Sequence, residues 1–142
     1  SHLSRGDQLL LGADLVKDSG ILHAAYNDSA GVTASFNKNL LVRINRELGG
    51  HFEPDTFSHV SFWNQTASRV ELHLESVIPQ SVRIDALDMT LRFGQGERIH
   101  TENSYKYTIE CLESLLNDGG FEVEHTWTDP LSWFAVTLGM IR

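Results

Sequence analysis

Apolar residues over positions 31–48 recur at helical spacing, which predicts an amphipathic helix. Every fourth residue is apolar and Leu41 lies beside the series, which consists of Val32, Phe36, Leu40, Ile44 and Leu48. Gly49 and Gly50 follow at once and predict the end of this helix. A second helix is predicted over Thr108–Asn117, where apolar residues again share one face.

Three central segments alternate apolar and polar residues, which predicts an antiparallel sheet with one face in water. They are Arg69–Ser76, Gln80–Ile84 and Asp88–Phe93. The apolar run Asp7–Val16 is typical of a strand buried on both faces of a parallel sheet. Two further strands are predicted over Phe121–Trp127 and Trp133–Ile141. We therefore expect an α/β chain, α+β locally, with an antiparallel-rich insertion between its two ends.

Composition and charge narrow the class of protein. The chain has 142 residues, of which 41% are hydrophobic and 21% charged, as in an ordinary folded domain. Its net charge of −8 argues against nucleic acid as a partner. No apolar stretch approaches the roughly 20 residues of a membrane helix, so no membrane partner is expected. Cys111 is the only cysteine, which excludes an intrachain disulfide and fits a cytoplasmic location.

The segment Gly94–Tyr107 is predicted to be a long polar connection, and it contains the first candidate site. Glu102 and Ser104 are two residues apart, so they would lie on the same side of an extended chain. Together they could bind a ligand that has two nitrogens, one of them protonated, such as an imidazole. The alternative is a surface loop in which both side chains contact only water.

The start of the helix over positions 31–48 is the second candidate. Thr33 and Phe36 share one face there, and a helix N-terminus favours a ligand carboxylate because its N–H groups are free. The alternative is that Phe36 belongs to the core and Thr33 is an ordinary first-turn residue. We expect no metal ion, since the seven histidines form no tight ligand pair and His73 falls on a polar strand face. No residue is predicted to be a catalytic nucleophile, and Cys111 is expected to be at least half-buried.

Several stretches of the chain are similar to one known family. The stretches are LLLGADLVKD (Leu9–Asp18), AAYNDSAGVTASFNKN (Ala24–Asn39), INRELGG (Ile44–Gly50), RVELHL (Arg69–Leu74), GERIHTENSYKY (Gly96–Tyr107), GGFEVEHTWTD (Gly119–Asp129) and WFAVTL (Trp133–Leu138). By these stretches the chain resembles the C-terminal half of the histidine-specific Nα-methyltransferases of ergothioneine biosynthesis, which use S-adenosylmethionine.

The resemblance implies a fold and a division into domains. The family has a Rossmann-like class I methyltransferase domain with an inserted substrate domain. Residues 1–16 and 107–142 would belong to the methyltransferase sheet, and residues 17–106 would form the inserted antiparallel α+β substrate-binding domain. The S-adenosylmethionine loop would lie upstream of the matched residues, so the chain alone is expected to be inactive. It is also expected to associate with itself or to pair with a missing N-terminal half.

The resemblance also assigns roles to residues. Glu102 and Ser104 match the pair that holds the substrate imidazole, and Leu72 stands where the family has a pocket methionine. Thr33 and Phe36 remain candidates for substrate binding. The implied reaction transfers three methyl groups from S-adenosylmethionine to the α-amino group of L-histidine, giving hercynine. Two alternatives stay open: a methyltransferase for another amino acid such as tryptophan, and a non-catalytic binding or interaction module.

Overall fold

The structure, a computed structural model, describes residues 3–142 and is a mixed α/β chain with antiparallel sheets. Its helices and strands are β1 (Gln8–Asp14), α1 (Ser19–Tyr26), α2 (Val32–Leu48), β2 (Phe57–Asn64), β3 (Arg69–Ser76), β4 (Gln80–Ile84), β5 (Met89–Phe93), β6 (Arg98–Tyr105), α3 (Ile109–Asp118), β7 (Phe121–Thr128) and β8 (Phe134–Ile141). Across the described residues, every helix is too short or too polar to cross a membrane.

The chain divides into two compact units. The first contains the N-terminal segment through Asp18, the short stretch Gln65–Ser68 and the C-terminal segment Tyr105–Arg142. The second contains Ser19–Asn64 and Arg69–Ser104. The domain boundaries expected after residues 16 and 106 stay a prediction, and residues 1 and 2 of that first domain lie outside the described residues.

The first unit is built on a three-stranded sheet in the order β1-β8-β7. Both neighbours run antiparallel to β8, so β1 and β7 run parallel to each other. Helix α3 packs beside β7, and the side chain of its N-cap residue Thr108 accepts the N–H of Cys111. The buried core of this unit consists of Ala13, Leu15, Leu112 and Ala135.

The prediction for the first strand was partly wrong. β1 is a strand, but its partner β8 is antiparallel, and Leu9 and Leu10 are exposed instead of buried. Leu9 and Leu10 point to opposite faces of the sheet, so within the described residues neither face is fully covered at this strand. Cys111 is likewise exposed, and not half-buried as expected.

The second unit has a three-stranded sheet in the order β2-β3-β6 and a separate β4-β5 hairpin. The expected sheet of three consecutive strands was partly wrong: β4 and β5 pair antiparallel, but β3 does not join them. β3 pairs instead with β2, for example at Leu72 opposite Ser61, since β2 precedes it across a short turn. The polar connection predicted over Gly94–Tyr107 is also wrong, because most of it is strand β6. The core contains Leu41, Phe52, Phe57, Leu74, Val82, Ile84 and Phe93.

Helix α2 has the predicted extent but a different buried face. It ends where the glycines indicated, with Gly49 in the left-handed conformation at a φ of 61°. Leu41 is fully buried, but Phe36 is 66% exposed and Val32 is exposed as well. The polar side chain of Asn37 is buried in their place, at 4% exposure. The buried stripe is rotated by one position because Asn37 finds hydrogen-bond partners inside the unit.

Candidate functional site

Strand β6 carries Glu102 and Ser104 beside the middle strand of its sheet. The Thr101 hydroxyl donates to the backbone carbonyl of Leu72 at 2.9 Å and anchors this part of β6 to β3. The His100 ring contacts the Asn103 side chain at 2.8 Å, although residues three apart in a regular strand face opposite ways. β6 is therefore irregular between these residues, a feature that can change the direction of a neighbouring side chain.

The Ser104 hydroxyl is hydrogen bonded to the Tyr26 hydroxyl at 2.7 Å. Tyr26 is the last residue of α1, and it packs against a buried cluster that contains Leu72, Leu22 and Val70. Leu72 is only 1% exposed. The structure thus joins Ser104 and Leu72 through a tyrosine that sequence reasoning missed, although Tyr26 lies in the stretch Ala24–Asn39.

Glu102 and Phe36 line the same cavity, which has a volume of about 260 Å³. This volume is just below the range of about 300–1,000 Å³ for small-molecule sites, so the cavity suits part of a small ligand. An aromatic ring and a carboxylate in one cavity can bind a flat, cationic or N–H-donating group. The lining residues are Phe36, Asn37, Asn39, Leu40, Arg43, Thr101 and Glu102.

Two N–H groups at the N-terminus of α2 are already hydrogen bonded within the chain, although the sequence predicted them to be free. The Asp28 carboxylate accepts the backbone N–H groups of Val32 and Thr33 at 2.8 and 2.9 Å. These bonds, with that from Thr33 the largest cause, hold the pKa of Asp28 below its usual value. The Thr33 hydroxyl donates to the carbonyl of Ala25 at 3.4 Å. Among the described residues, the cavity lining includes Phe36 but not Thr33.

Three rings stack across the β2-β3-β6 sheet. Phe62 and His73 have centroids 5.4 Å apart, and His73 and His100 have centroids 4.6 Å apart with nearly parallel planes. His73 was predicted to lie on a solvated strand face, but it is half-buried. Its Nδ1 atom is buried without a hydrogen-bond partner. Burial is the main cause that lowers the pKa of His73, and His100 adds to it.

The donor atoms of Glu71, His73 and His100 lie within 4.8 Å of one another, close enough to consider a metal ion. A single ion must lie near the plane of each imidazole that binds it, and stacked parallel rings do not share such a point. In addition, Glu71 Oε1 already accepts hydrogen bonds from Arg69 and Asn64. We therefore assign this cluster to ring stacking and ion pairing.

Comparison with known proteins gives one consistent family. A family model described as a SAM-dependent, histidine-specific methyltransferase matches residues 1–140. The histidine N-alpha-methyltransferase of Mycolicibacterium smegmatis is 46% identical over 138 residues, which are 97% of this chain and 43% of that protein. That of Mycobacterium tuberculosis is 44% identical over 133 residues, covering 94% of this chain and 41% of that protein.

A third relative, less similar in sequence, is named for ergothioneine biosynthesis. Ergothioneine biosynthesis protein 1 of Neurospora crassa is 28% identical over 131 residues, which are 89% of this chain and 14% of that protein. The chain spans about two-fifths of the length of the two bacterial relatives.

Proposed function

Because the chain belongs to the SAM-dependent histidine-specific methyltransferases, we propose that it forms the substrate-recognition part of an enzyme that trimethylates the α-amino group of L-histidine. S-adenosylmethionine supplies the methyl groups in such a reaction. This chain positions the amino acid. Holding two bound reactants in the right geometry provides much of the rate acceleration of a methyl transfer between them.

The cavity shared by Glu102 and Phe36 is the observation that supports this proposal. An imidazole in it would lie against the Phe36 ring and donate an N–H to the Glu102 carboxylate. Ser104, two residues further along β6, would contact the second ring nitrogen while it remains bonded to Tyr26. Leu72 supports the Tyr26 side of this site through the buried cluster that they share.

The described residues do not form a binding site for S-adenosylmethionine. Such a site needs a glycine-rich turn between a strand and a helix, where N–H groups converge on the ligand. The sequence GQGE (Gly94–Glu97) connects β5 to another strand, β6, and Glu97 itself accepts the N–H of Gly94 at 2.8 Å. We propose that the cofactor is held by residues outside this chain.

The first unit supports a Rossmann-like sheet. β1 and β7 run parallel to each other on either side of the antiparallel β8, and α3 directly precedes β7. Doubly wound sheets are mostly parallel, with their strands connected through helices. At the carboxyl end of β1, Asp14 forms ion pairs with Lys17 at 2.5 Å and with the buried Lys106 at 3.0 Å. We propose that the exposed edge of β1 pairs with the remaining strands of a methyltransferase sheet.

The Michaelis constant for histidine tests the role of Glu102. In the native gene product, E102A is expected to raise KM for histidine by about 10–100-fold, which corresponds to losing a charge-assisted hydrogen bond of about 1.5–3 kcal/mol. E113A is the matched control, because Glu113 is an exposed acid on α3 in the other unit. An unchanged KM in E102A would remove Glu102 from the site.

The same assay separates the remaining alternatives. Methylation of tryptophan in preference to histidine by the unsubstituted protein would overturn the proposed substrate. No methyl transfer to either amino acid, with S-adenosylmethionine present, would favour a non-catalytic binding module. We expect the unsubstituted protein to methylate histidine, and E102A to do so with the raised KM.

A further inference from the structure

A buried asparagine ties helix α2 to the sheet of the second unit. Asn37 is 4% exposed, and its Nδ2 atom donates to the backbone carbonyl of His73 at 3.0 Å. The same Nδ2 atom lies 3.0 Å from Nδ1 of His59 on β2. An amide nitrogen has two hydrogens, so it can serve both partners. The reversed amide would turn its oxygen toward the His73 carbonyl, which the hydrogen-bond network excludes.

These contacts define the protonation of the His59 ring. Its Nε2 atom lies 2.9 Å from the backbone carbonyl oxygen of Tyr26, and a carbonyl only accepts. Nε2 therefore carries the hydrogen. Its Nδ1 atom faces the Asn37 Nδ2 group, which can only donate. Nδ1 therefore accepts this hydrogen bond and carries no hydrogen. His59 is thus a neutral ring with one tautomer, and each of its nitrogens has a partner.

The bond from His59 fixes the end of helix α1. Tyr26 is the last residue of α1, where carbonyl groups lack partners within the helix. His59 supplies one for the Tyr26 carbonyl, while the side chain of the next residue, Asn27, donates to Ser61 of β2 at 2.7 Å. The Tyr26 hydroxyl, at the other end of the same residue, contacts Ser104. The path from Asn37 to Ser104 therefore runs through three hydrogen bonds and two residues, His59 and Tyr26.

We propose that His59, oriented by Asn37, is a positioning residue that holds Tyr26 against Ser104 in the histidine site. This inference rests on the proposed function. His59 acts through Tyr26, so its loss would loosen the position of the Tyr26 hydroxyl without removing any group of the site itself. The expected effect is on substrate binding more than on turnover.

Substitution of His59 in the native gene product tests the proposal. H59F keeps a flat ring but loses both hydrogen bonds, and we expect KM for histidine to rise about tenfold, the loss of about 1.4 kcal/mol, with kcat changed much less. H59Q retains a donor that can reach the Tyr26 carbonyl, so we expect it to restore most of the affinity. H51F is the control, because His51 is an exposed histidine that pairs with Asp85 elsewhere in the same unit.

A double substitution shows whether His59 acts through Tyr26. If it does, Y26F/H59F has the same KM as Y26F alone, because the hydroxyl that His59 positions is already absent. Independent, additive effects of the two substitutions would overturn the proposal. So would a KM in H59F within twofold of the unsubstituted protein.

Nitrogen-15 NMR of the histidine rings in the unsubstituted protein measures the tautomer of His59 directly. We expect His59 to show the neutral form with its hydrogen on Nε2, and a hydrogen on Nδ1 would overturn the proposal. The Glu102 experiment separates the two levels of inference. If E102A and Y26F raise KM but H59F does not, the positioning role alone fails. If E102A leaves KM unchanged, the proposed function fails and this inference with it.

Discussion

Leu72 is the site residue whose packing gives the most direct stability prediction. It is 1% exposed and lies in a cluster with Leu22, Val70 and Tyr26. L72A should lower the free energy of unfolding by about 2–5 kcal/mol, because a buried leucine leaves a cavity when it is shortened. L72M is the control and should cost less than about 1.5 kcal/mol, since the two volumes are close. Urea unfolding measures both, and equal losses would contradict the packing argument.

The candidate residues differ in how far sequence alone could place them. Glu102 and Phe36 were both predicted to bind a ligand, and they do line one cavity. Their assigned roles stay predictions. Tyr26 and His59 were missed because their significance lies in contacts between distant segments, which no periodic pattern records. The same is true of Asn37, a polar residue whose burial depends on partners supplied by β2 and β3.

At the scale of elements, α2 shows which parts of a helix a pattern determines. The apolar spacing and the two glycines gave its extent correctly, since both signals are local. The direction of the buried face was wrong by one position, because it depends on where Asn37 finds partners. The prediction of a polar connection in place of β6 was wrong for a related reason. The polar residues of β6 are typical of a loop, but its backbone pairs with β3.

The start of α2 has a predictable pH dependence through Asp28. Backbone hydrogen bonds from Thr33 and Val32 lower the pKa of Asp28 in the folded state from the ordinary value of 3.8. A lowered pKa stabilises the fold at pH values above the unfolded pKa, and this stabilisation is lost as pH falls through the folded pKa. D28N should therefore lower the melting temperature at neutral pH and reduce the further loss seen in the unsubstituted chain below about pH 4.

Thermal unfolding followed between pH 7 and pH 2.5 checks this expectation. S35A is a suitable control, because Ser35 is exposed on the same helix and has no ionisable side chain. It should reproduce the pH dependence of the unsubstituted chain. If D28N showed an unchanged pH dependence as well, Asp28 would not be the group responsible.

At the scale of the molecule, local elements were easier to predict than their partners. The bounds of β3 and β4 match the predicted segments, since alternation is a property of neighbouring residues. The order β2-β3-β6 and the separate β4-β5 hairpin depend on which segments meet in space. Nothing in the alternation of β3 distinguishes β2 or β6 from β4 as a neighbour, so the predicted three-stranded sheet was partly wrong.

The exposed edge of β1 leads to a prediction about the chain on its own. Leu10 is 64% exposed on this strand, and Leu9 beside it is exposed too. An edge strand with apolar side chains and unpaired backbone groups is a template for pairing with another chain. The 142-residue chain should therefore associate as its concentration rises, and analytical ultracentrifugation should report masses above 15.9 kDa.

A single lysine on this edge should prevent that association. L10K adds a charge where a second chain would have to bury it, so its mass should stay near 15.9 kDa at concentrations where the unsubstituted chain associates. L87K is the matched control, because Leu87 is also an exposed leucine, at 54%, but lies beside the β4-β5 hairpin of the other unit. It should associate like the unsubstituted chain. If L10K and L87K had equal effects, general surface apolarity and not the β1 edge would drive association, and the proposal that this edge pairs with further strands would lose its support.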